Sequence, residues 1–328
     1  MKLQVPFVQL PLMFDTNRLA EEVAAIGESK WKPHPQGFPG NTMLPLMAVE
    51  GDSENEGFSG PMRPTSNLLA CPYLTQVFAS LGATIGRSRL MRLSGNAEVA
   101  RHADQGYYWA ERVRVHIPIV TQPTVRFECD GEVVNMAAGE CWIFDTWRQH
   151  SVHNDATKPR IHLVIDTIGG AGFWQLVSAG RSHQAMPPGW GVRLIQPRGA
   201  EVDTFPCEAV NVPAVMSPWE LSSHLDLLFT DAQQHPNLSA VREITMRFLH
   251  AWQGLWFEFA DAEAGRARFR ELLQAYLTEV RDSARALKLK NDLPWFGALV
   301  TIVGRFAVAG GLPSPRSAAA PMMIGDNA

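Results

Sequence analysis

Residues 139–166 read GECWIFDTWRQHSVHNDATKPRIHLVID, and the period of this stretch decides the fold. Ala138-Gly139-Glu140 makes a turn into the apolar run Cys141-Trp142-Ile143-Phe144. Ile161-His162-Leu163-Val164-Ile165 alternates before Gly169-Gly170. Successive side chains of a strand face opposite sides of a sheet, so both segments read as short strands. The same period reaches upstream to about residue 85. Arg89–Leu93 and Glu98–His102 flank a Ser94-Gly95-Asn96 turn, and Val113–Ile117, Val125–Glu128 and Val133–Met136 follow. Many short strands at even spacing predict a sandwich or barrel, and a double-sheet jelly roll is one such solution.

The flanks read differently. Residues 3–13 are apolar but broken by Pro6 and Pro11, which suits a strand at a sheet edge. From Asp15 to Gly27, Leu19, Val23 and Ile26 have helical spacing, with Asp15 or Thr16 as a cap and Gly27 as a stop. Residues 31–68 are rich in Gly, Pro, Asn, Ser and Glu around a strand-like island at Met43–Val49. So long a loop either covers a site or is a solvated excursion. A short helix is expected after Pro72, ending at Gly82. Beyond about residue 200 the pattern turns helical: Ser217-Pro218-Trp219-Glu220 is a capping box. Val241, Phe248 and Trp252, then Phe269, Leu273 and Tyr276, form core-facing stripes on two long helices.

Composition bounds the function. The chain has 328 residues, 46% hydrophobic and 19% charged, which is ordinary for a soluble globular protein. A net charge of -4 argues against a general polyanion binder, so no nucleic-acid partner is expected. No apolar run is long enough to span a bilayer, and the N-terminal stretch makes a poor signal peptide, so no membrane partner is expected. Four cysteines without a CxxC pair suggest free thiols and a cytoplasmic location.

Chemistry-bearing residues cluster in the strand-rich region. In an extended segment His102 and Asp104 point to one face, so an imidazole and a carboxylate can grip one metal ion from the same side. His150 lies one β-excursion later, and Arg160 follows ten residues after it. Two imidazoles and one carboxylate are the donor set of a non-haem iron oxygenase, and they keep three octahedral positions open. A lone His-x-Asp pair is weak evidence, because such pairs also occur on wet strand faces. His153 is the rival for the second imidazole, but it falls in the turn signal His153-Asn154-Asp155. Arg160 starts a strand-like run and can project inward to a carboxylate, or it is a surface arginine after Pro159. His116 and His162 line the pocket or are satisfied core histidines. Cys129 and Cys141 read as buried small hydrophobes.

Residues 86–168 resemble the aspartyl/asparaginyl β-hydroxylase family of iron(II)/2-oxoglutarate oxygenases, particularly its bacterial branch that includes the proline hydroxylases. The matching elements are Leu93-Ser94-Gly95, His102-Ala103-Asp104, Arg112-Val113-Arg114-Val115-His116, Gly139-Glu140, Phe144-Asp145 leading to His150, and Pro159–Asp166. The resemblance implies a cupin-like double-stranded β-helix with N-terminal helical elements and an α-helical C-terminal region. With the change of pattern near residue 200 and the Pro, Ser and Ala run at the end, the expected division is a jelly-roll domain over 1–200 with its core at 86–168, a helical domain over 201–312 and a disordered tail over 313–328. The resemblance assigns His102, Asp104 and His150 as iron ligands and catalytic centre, and Arg160 as holder of the distal carboxylate of 2-oxoglutarate. Arg114 and His116 match positions lining the cosubstrate and substrate pocket, and Arg114 is also a candidate partner for a substrate carboxylate. Fe(II), 2-oxoglutarate and O2 are the implied cofactors, with succinate and CO2 as co-products. Members that act on protein side chains have a small residue where Asp104 stands, so Asp104 points to a small-molecule substrate, a free or modified amino acid. The alternatives are a hydroxylase of Asp, Asn or Arg side chains in a protein, and a non-oxidative metal-binding jelly roll. A homodimer is left open.

Overall fold

The computed structural model describes residues 1–35 and 37–310; the expected tail at 313–328 lies outside the described residues. The strands begin with β1 (Phe7–Phe14), β2 (Lys32–Pro33), β3 (Asn41–Val49) and β4 (Met62–Pro64). Then come β5 (Thr84–Leu93), β6 (Ala97–His102), β7 (Val113–Val120), β8 (Val125–Cys129) and β9 (Glu132–Val134). The series ends with β10 (Glu140–Phe144), β11 (His150–Asn154), β12 (Arg160–Gly169), β13 (Arg181–Ser182) and β14 (Arg193–Ile195). The chain divides into two compact units. Of the described residues, one comprises Met1–Asp104 and Glu111–Asn211, and the other Gln105–Ala110 and 212–310.

The first unit is built on two antiparallel sheets. The large sheet runs β13-β1-β10-β7-β12-β5-β3-β2, and the small one β6-β11-β8-β9. Strands β5 to β12 thus form two facing sets of four, β10-β7-β12-β5 and β6-β11-β8-β9, which is a double-stranded β-helix. Alternation along each strand sorts the side chains. Val113, Val115, Ile117, Ile143, Leu163 and Ile165 face outward and pack with Leu19, Val23, Leu74, Val77, Phe78 and Phe173. Those partners belong to helices α1 (Thr16–Ile26), α3 (Pro72–Ser80) and α5 (Ala171–Ser178). Helix α1 starts where the Asp15 side chain accepts from Arg18 N at 3.1 Å. It stops at Gly27, whose φ of 90° suits a residue without Cβ. The inner face buries a second cluster around Phe7, Leu93, Val99, Phe127, Trp142, Phe144 and Val152.

Two expectations need correction. The span 31–68 is not a plain loop, because β3 is buried and pairs with β5 from Asn41↔Leu93 to Met47↔Ser88. The strand is the island expected at Met43–Val49, begun two residues earlier and interrupted by Pro45. Pro45 lacks an N–H, and the register shifts between Pro45 and Met47 where the ladder accommodates it. A four-residue helix, α2 (Ser66–Leu69), closes the same span. The turn expected around His153-Asn154 is instead part of β11, which lies between β6 and β8.

Residues 201–211 contain no helix and stay with the jelly roll: Ile85 bridges to Cys207, and buried Arg112 donates from Nε to Glu208 at 2.8 Å. In the second unit Ser217 caps α6 (Pro218–Thr230), as the capping-box residues predict. Its other helices are α7 (Leu238–Phe259), α8 (Arg266–Ala284) and α9 (Trp295–Leu299). Phe248 of α7 stacks on Tyr276 of α8 with centroids 4.0 Å apart, so the two apolar stripes face each other. Helix α4 (Tyr107–Glu111) lies between β6 and β7 in the chain. Within the second unit Tyr107 donates to Glu220 Oε1 at 2.8 Å and stacks on Phe306. Among the described residues, no helix is long and apolar enough to cross a membrane.

Candidate active site

Antiparallel register assembles the centre of the jelly roll. His150 of β11 stands directly opposite His102 of β6, and the two rings lie 4.2 Å apart. Asp104 follows the end of β6 and is fixed by its own N–H, which donates to Thr146 O at 2.9 Å. Its Oδ1 lies 3.6 Å from His102 Nε2 and 3.9 Å from His150 Nε2. The donor atoms of all three lie within 4.8 Å of one another, and all three residues are buried. Two metal bonds of about 2.1 Å span at most about 4.2 Å, so one ion could bind all three after sub-ångström movement.

The tautomers fit a metal. Nδ1 of His102 lies 2.7 Å from Ala100 O, and Nδ1 of His150 lies 2.9 Å from Arg148 O. A carbonyl only accepts, so each Nδ1 carries the proton and each Nε2 presents a lone pair. Burial, and then the neighbouring His102, push the pKa of His150 down to about 3, so it is a neutral ligand at ordinary pH. Burial raises the Asp104 carboxyl, but Arg114 and the two imidazoles outweigh it and hold the group below its usual range. Neither Nε2 has a hydrogen-bond partner among the described residues, and nor does Oδ1 of Asp104, the oxygen that faces them. A buried acceptor left unsatisfied costs about 1–3 kcal/mol, and three such atoms at one point fit a cation that would satisfy them.

The inner face of the large sheet carries the remaining polar groups. Along β12 the alternation puts Arg160, His162, Val164 and Asp166 on one side. Register sets His116 opposite Val164 and Arg114 opposite Asp166. Arg114 donates from Nε to Asp166 Oδ1 at 3.0 Å, and its Nη1 lies 3.2 Å from Asp104 Oδ2. Both contacts are buried, so the guanidinium of Arg114 lies between two carboxylates. Burial raises the pKa of Asp166, opposed by Arg114, Arg89 and Arg87. Arg89 and Arg87 are further buried arginines of β5.

Arg160 is different. It is 1% exposed, burial lowers its pKa to about 9, and no carboxylate pairs with it among the described residues. It stands opposite Leu93 and donates from Nη2 to His162 Nδ1 at 2.9 Å. His116 lies beside this pair, with its Nδ1 3.4 Å from that of His162. Phe127 and Phe144 pack edge-on against His116 and keep the region apolar. His153 faces away from the triad and pairs with Glu98 at 3.1 Å while one third exposed. Cys129 and Cys141 are buried thiols whose pKa burial raises.

All six residues singled out from the sequence, His102, Asp104, His150, Arg160, Arg114 and His116, therefore lie in the interior of the jelly roll. Sequence reasoning gave no role to Asp166 and left His162 undecided. The i, i+2 series from Arg160 to Asp166 was the available signal for both.

Residues 46–169 match the family model described as aspartyl/asparaginyl beta-hydroxylase, so the resemblance drawn from the sequence is borne out. An L-proline cis-3-hydroxylase of a Streptomyces species is 28% identical over 42% of this chain and 50% of its own length. An L-proline cis-4-hydroxylase of Rhizobium meliloti is 23% identical over 47% of this chain and 57% of its own length. The chain thus spans between half and three fifths of the curated relatives it matches. A solved 2OG-Fe(II) oxygenase family oxidoreductase from Burkholderia pseudomallei is 17% identical with a TM-score of 0.34, covering 52% of this chain and 88% of that one.

Proposed function

We propose that this protein is an iron(II)- and 2-oxoglutarate-dependent hydroxylase of a small amino-acid-like substrate, with the jelly-roll unit as its catalytic part. One observation carries the reading. Two imidazole Nε2 atoms and one carboxylate oxygen converge, unpartnered, inside a barrel that also buries an uncompensated guanidinium. A metal ion answers the first feature and an anion the second. The proline hydroxylase relatives support an amino acid as substrate, and four free thiols support a cytoplasmic location.

In this reading His102, Asp104 and His150 hold iron(II) from one side. Their carbonyl-anchored tautomers keep both Nε2 lone pairs directed to the ion without a proton to displace. Arg160 supplies a fixed fork for the distal carboxylate of 2-oxoglutarate. Arg114 neutralises the outer oxygen of Asp104 and so keeps that ligand ionised. Phe127, Phe144 and Trp142 exclude water, which strengthens each of these charge contacts. When bound, iron(II) with 2-oxoglutarate and O2 supplies the oxidising power to hydroxylate an unactivated C–H, yielding succinate and CO2.

The test is succinate release from 2-oxoglutarate, with Fe(II) and ascorbate, across free and N-acylated amino acids with proline first. Substrate-dependent succinate from one or a few of these is the expected result. Turnover with peptides alone would shift the reading to a protein side-chain hydroxylase. No turnover together with no 2-oxoglutarate binding would overturn it in favour of a non-oxidative metal protein.

A further inference from the structure

His162 lies outside the metal triad and beside Arg160. Arginine is a donor only, so the 2.9 Å contact between Arg160 Nη2 and His162 Nδ1 makes that nitrogen an acceptor. A neutral imidazole that accepts at Nδ1 must carry its proton on Nε2. Burial, and then the Arg160 charge, hold His162 far below the usual imidazole range, consistent with the neutral ring. Its Nε2–H is nevertheless buried with no hydrogen-bond partner among the described residues. The Nε of Arg160 is likewise buried and unpartnered. Two unsatisfied donors thus belong to residues two apart on one face of β12, already joined to each other by a hydrogen bond. Buried donors without acceptors are rare in native proteins, and a bound acceptor is the usual explanation.

We propose that Arg160 and His162 form a two-part anion clamp, in which His162 orients the guanidinium through Nδ1 and donates a second, neutral hydrogen bond through Nε2–H to the same carboxylate. The proposal rests on the cosubstrate reading above and deepens it. Arg160 supplies charge, whereas His162 supplies direction. Its locked tautomer makes the site selective for a 2-oxoacid with a distal carboxylate over one without.

Two measurements test the clamp. Nitrogen-15 NMR of histidine-labelled wild-type protein, without added 2-oxoacid and with the His162 signal assigned from His162→Gln, should show His162 protonated at Nε2 and not at Nδ1. The opposite tautomer or an imidazolium would overturn the proposal whatever any variant does. Calorimetric titration of the Mn(II)-loaded protein then compares 2-oxoglutarate with 2-oxobutyrate, which lacks the distal carboxylate. His162→Leu should weaken 2-oxoglutarate by about tenfold or more, the size of one hydrogen bond to a charged group, and leave 2-oxobutyrate unchanged. His162→Gln, with an acceptor and a donor, should recover most of the loss. Equal weakening of both acids, or of neither, would refute the clamp. If Arg160→Leu also leaves 2-oxoglutarate affinity intact, it is the cosubstrate reading that fails; if only His162 is silent, that reading stands without the clamp.

Discussion

Arg114 Nη1 lies 3.2 Å from Asp104 Oδ2, while Oδ1 of the same carboxylate faces both imidazoles. One oxygen is thereby assigned to the cation of the protein and the other to the cation of the site. Groups that hold a metal ligand in place are worth about 10–100-fold in affinity. Arg114→Leu should weaken Mn(II) or Co(II) binding by that factor. Arg114→Lys should recover only part of it, since an ammonium cannot span Asp104 and Asp166 as a fork does. Asp166→Asn leaves the Asp104 contact in place and should bind metal nearly as the wild type does. Metal titration calorimetry on the three variants checks the ordering, and unchanged affinity in Arg114→Leu would contradict it.

The two candidate second imidazoles separate cleanly. His150 is fully buried in the triad, whereas His153 makes a solvent-facing pair with Glu98. His150→Ala should abolish metal binding. His153→Ala should leave it intact and change stability by less than about 0.5 kcal/mol, as exposed ion pairs do. The reverse pattern would reassign the ligand.

Metal should also stabilise the fold. At free Mn(II) about 100 times its dissociation constant, linkage predicts about 2.7 kcal/mol of added stability, reversible by chelation. Denaturant titration with and without Mn(II) measures this gain. Asp104→Ala should lose it, and a variant that keeps the full gain would argue that the ion binds elsewhere.

A structural prediction concerns Glu22. From helix α1 its carboxylate accepts from the N–H of Tyr73 and of Leu74, both at 2.9 Å, and so caps the start of α3. Pro72 and Cys71 offer no side-chain cap there. Glu22→Ala should lower stability by about 1–2 kcal/mol without altering metal affinity. Calorimetric melting of the variant checks this, and an unchanged melting temperature would show that water replaces the cap.

Much of the core was legible in the sequence because its chemistry follows period two. Arg114 and His116 point inward where Val113, Val115 and Ile117 point outward, and the same alternation runs from Arg160 to Asp166. The Leu93-Ser94-Gly95 signature has a steric basis: a Cβ at position 95 would overlap the Thr157 carbonyl, which crosses the turn at contact distance. Strand β11 was missed because His153-Asn154-Asp155 has turn chemistry. Asn154 in fact spends its amide on Leu93 O, Ser94 O and Lys158 O and ties the strand end to the neighbouring turns. Strand β3 was legible as the strand-like island at Met43–Val49, but its pairing with β5 in the large sheet was not. The Arg114 bridge depends on pairing between β7 and β12, 52 residues apart in sequence, a long-range register that local pattern cannot supply.

The central claim is that His102, Asp104 and His150 hold an iron(II) that chelates 2-oxoglutarate. Anaerobic addition of Fe(II) and then 2-oxoglutarate, followed by visible absorption, tests it most directly. An Fe(II)–2-oxoacid charge-transfer band should develop in the wild type, vanish in His150→Ala and persist in His153→Ala. No band in a wild-type protein that binds Fe(II), or an undiminished band in His150→Ala, would contradict the account.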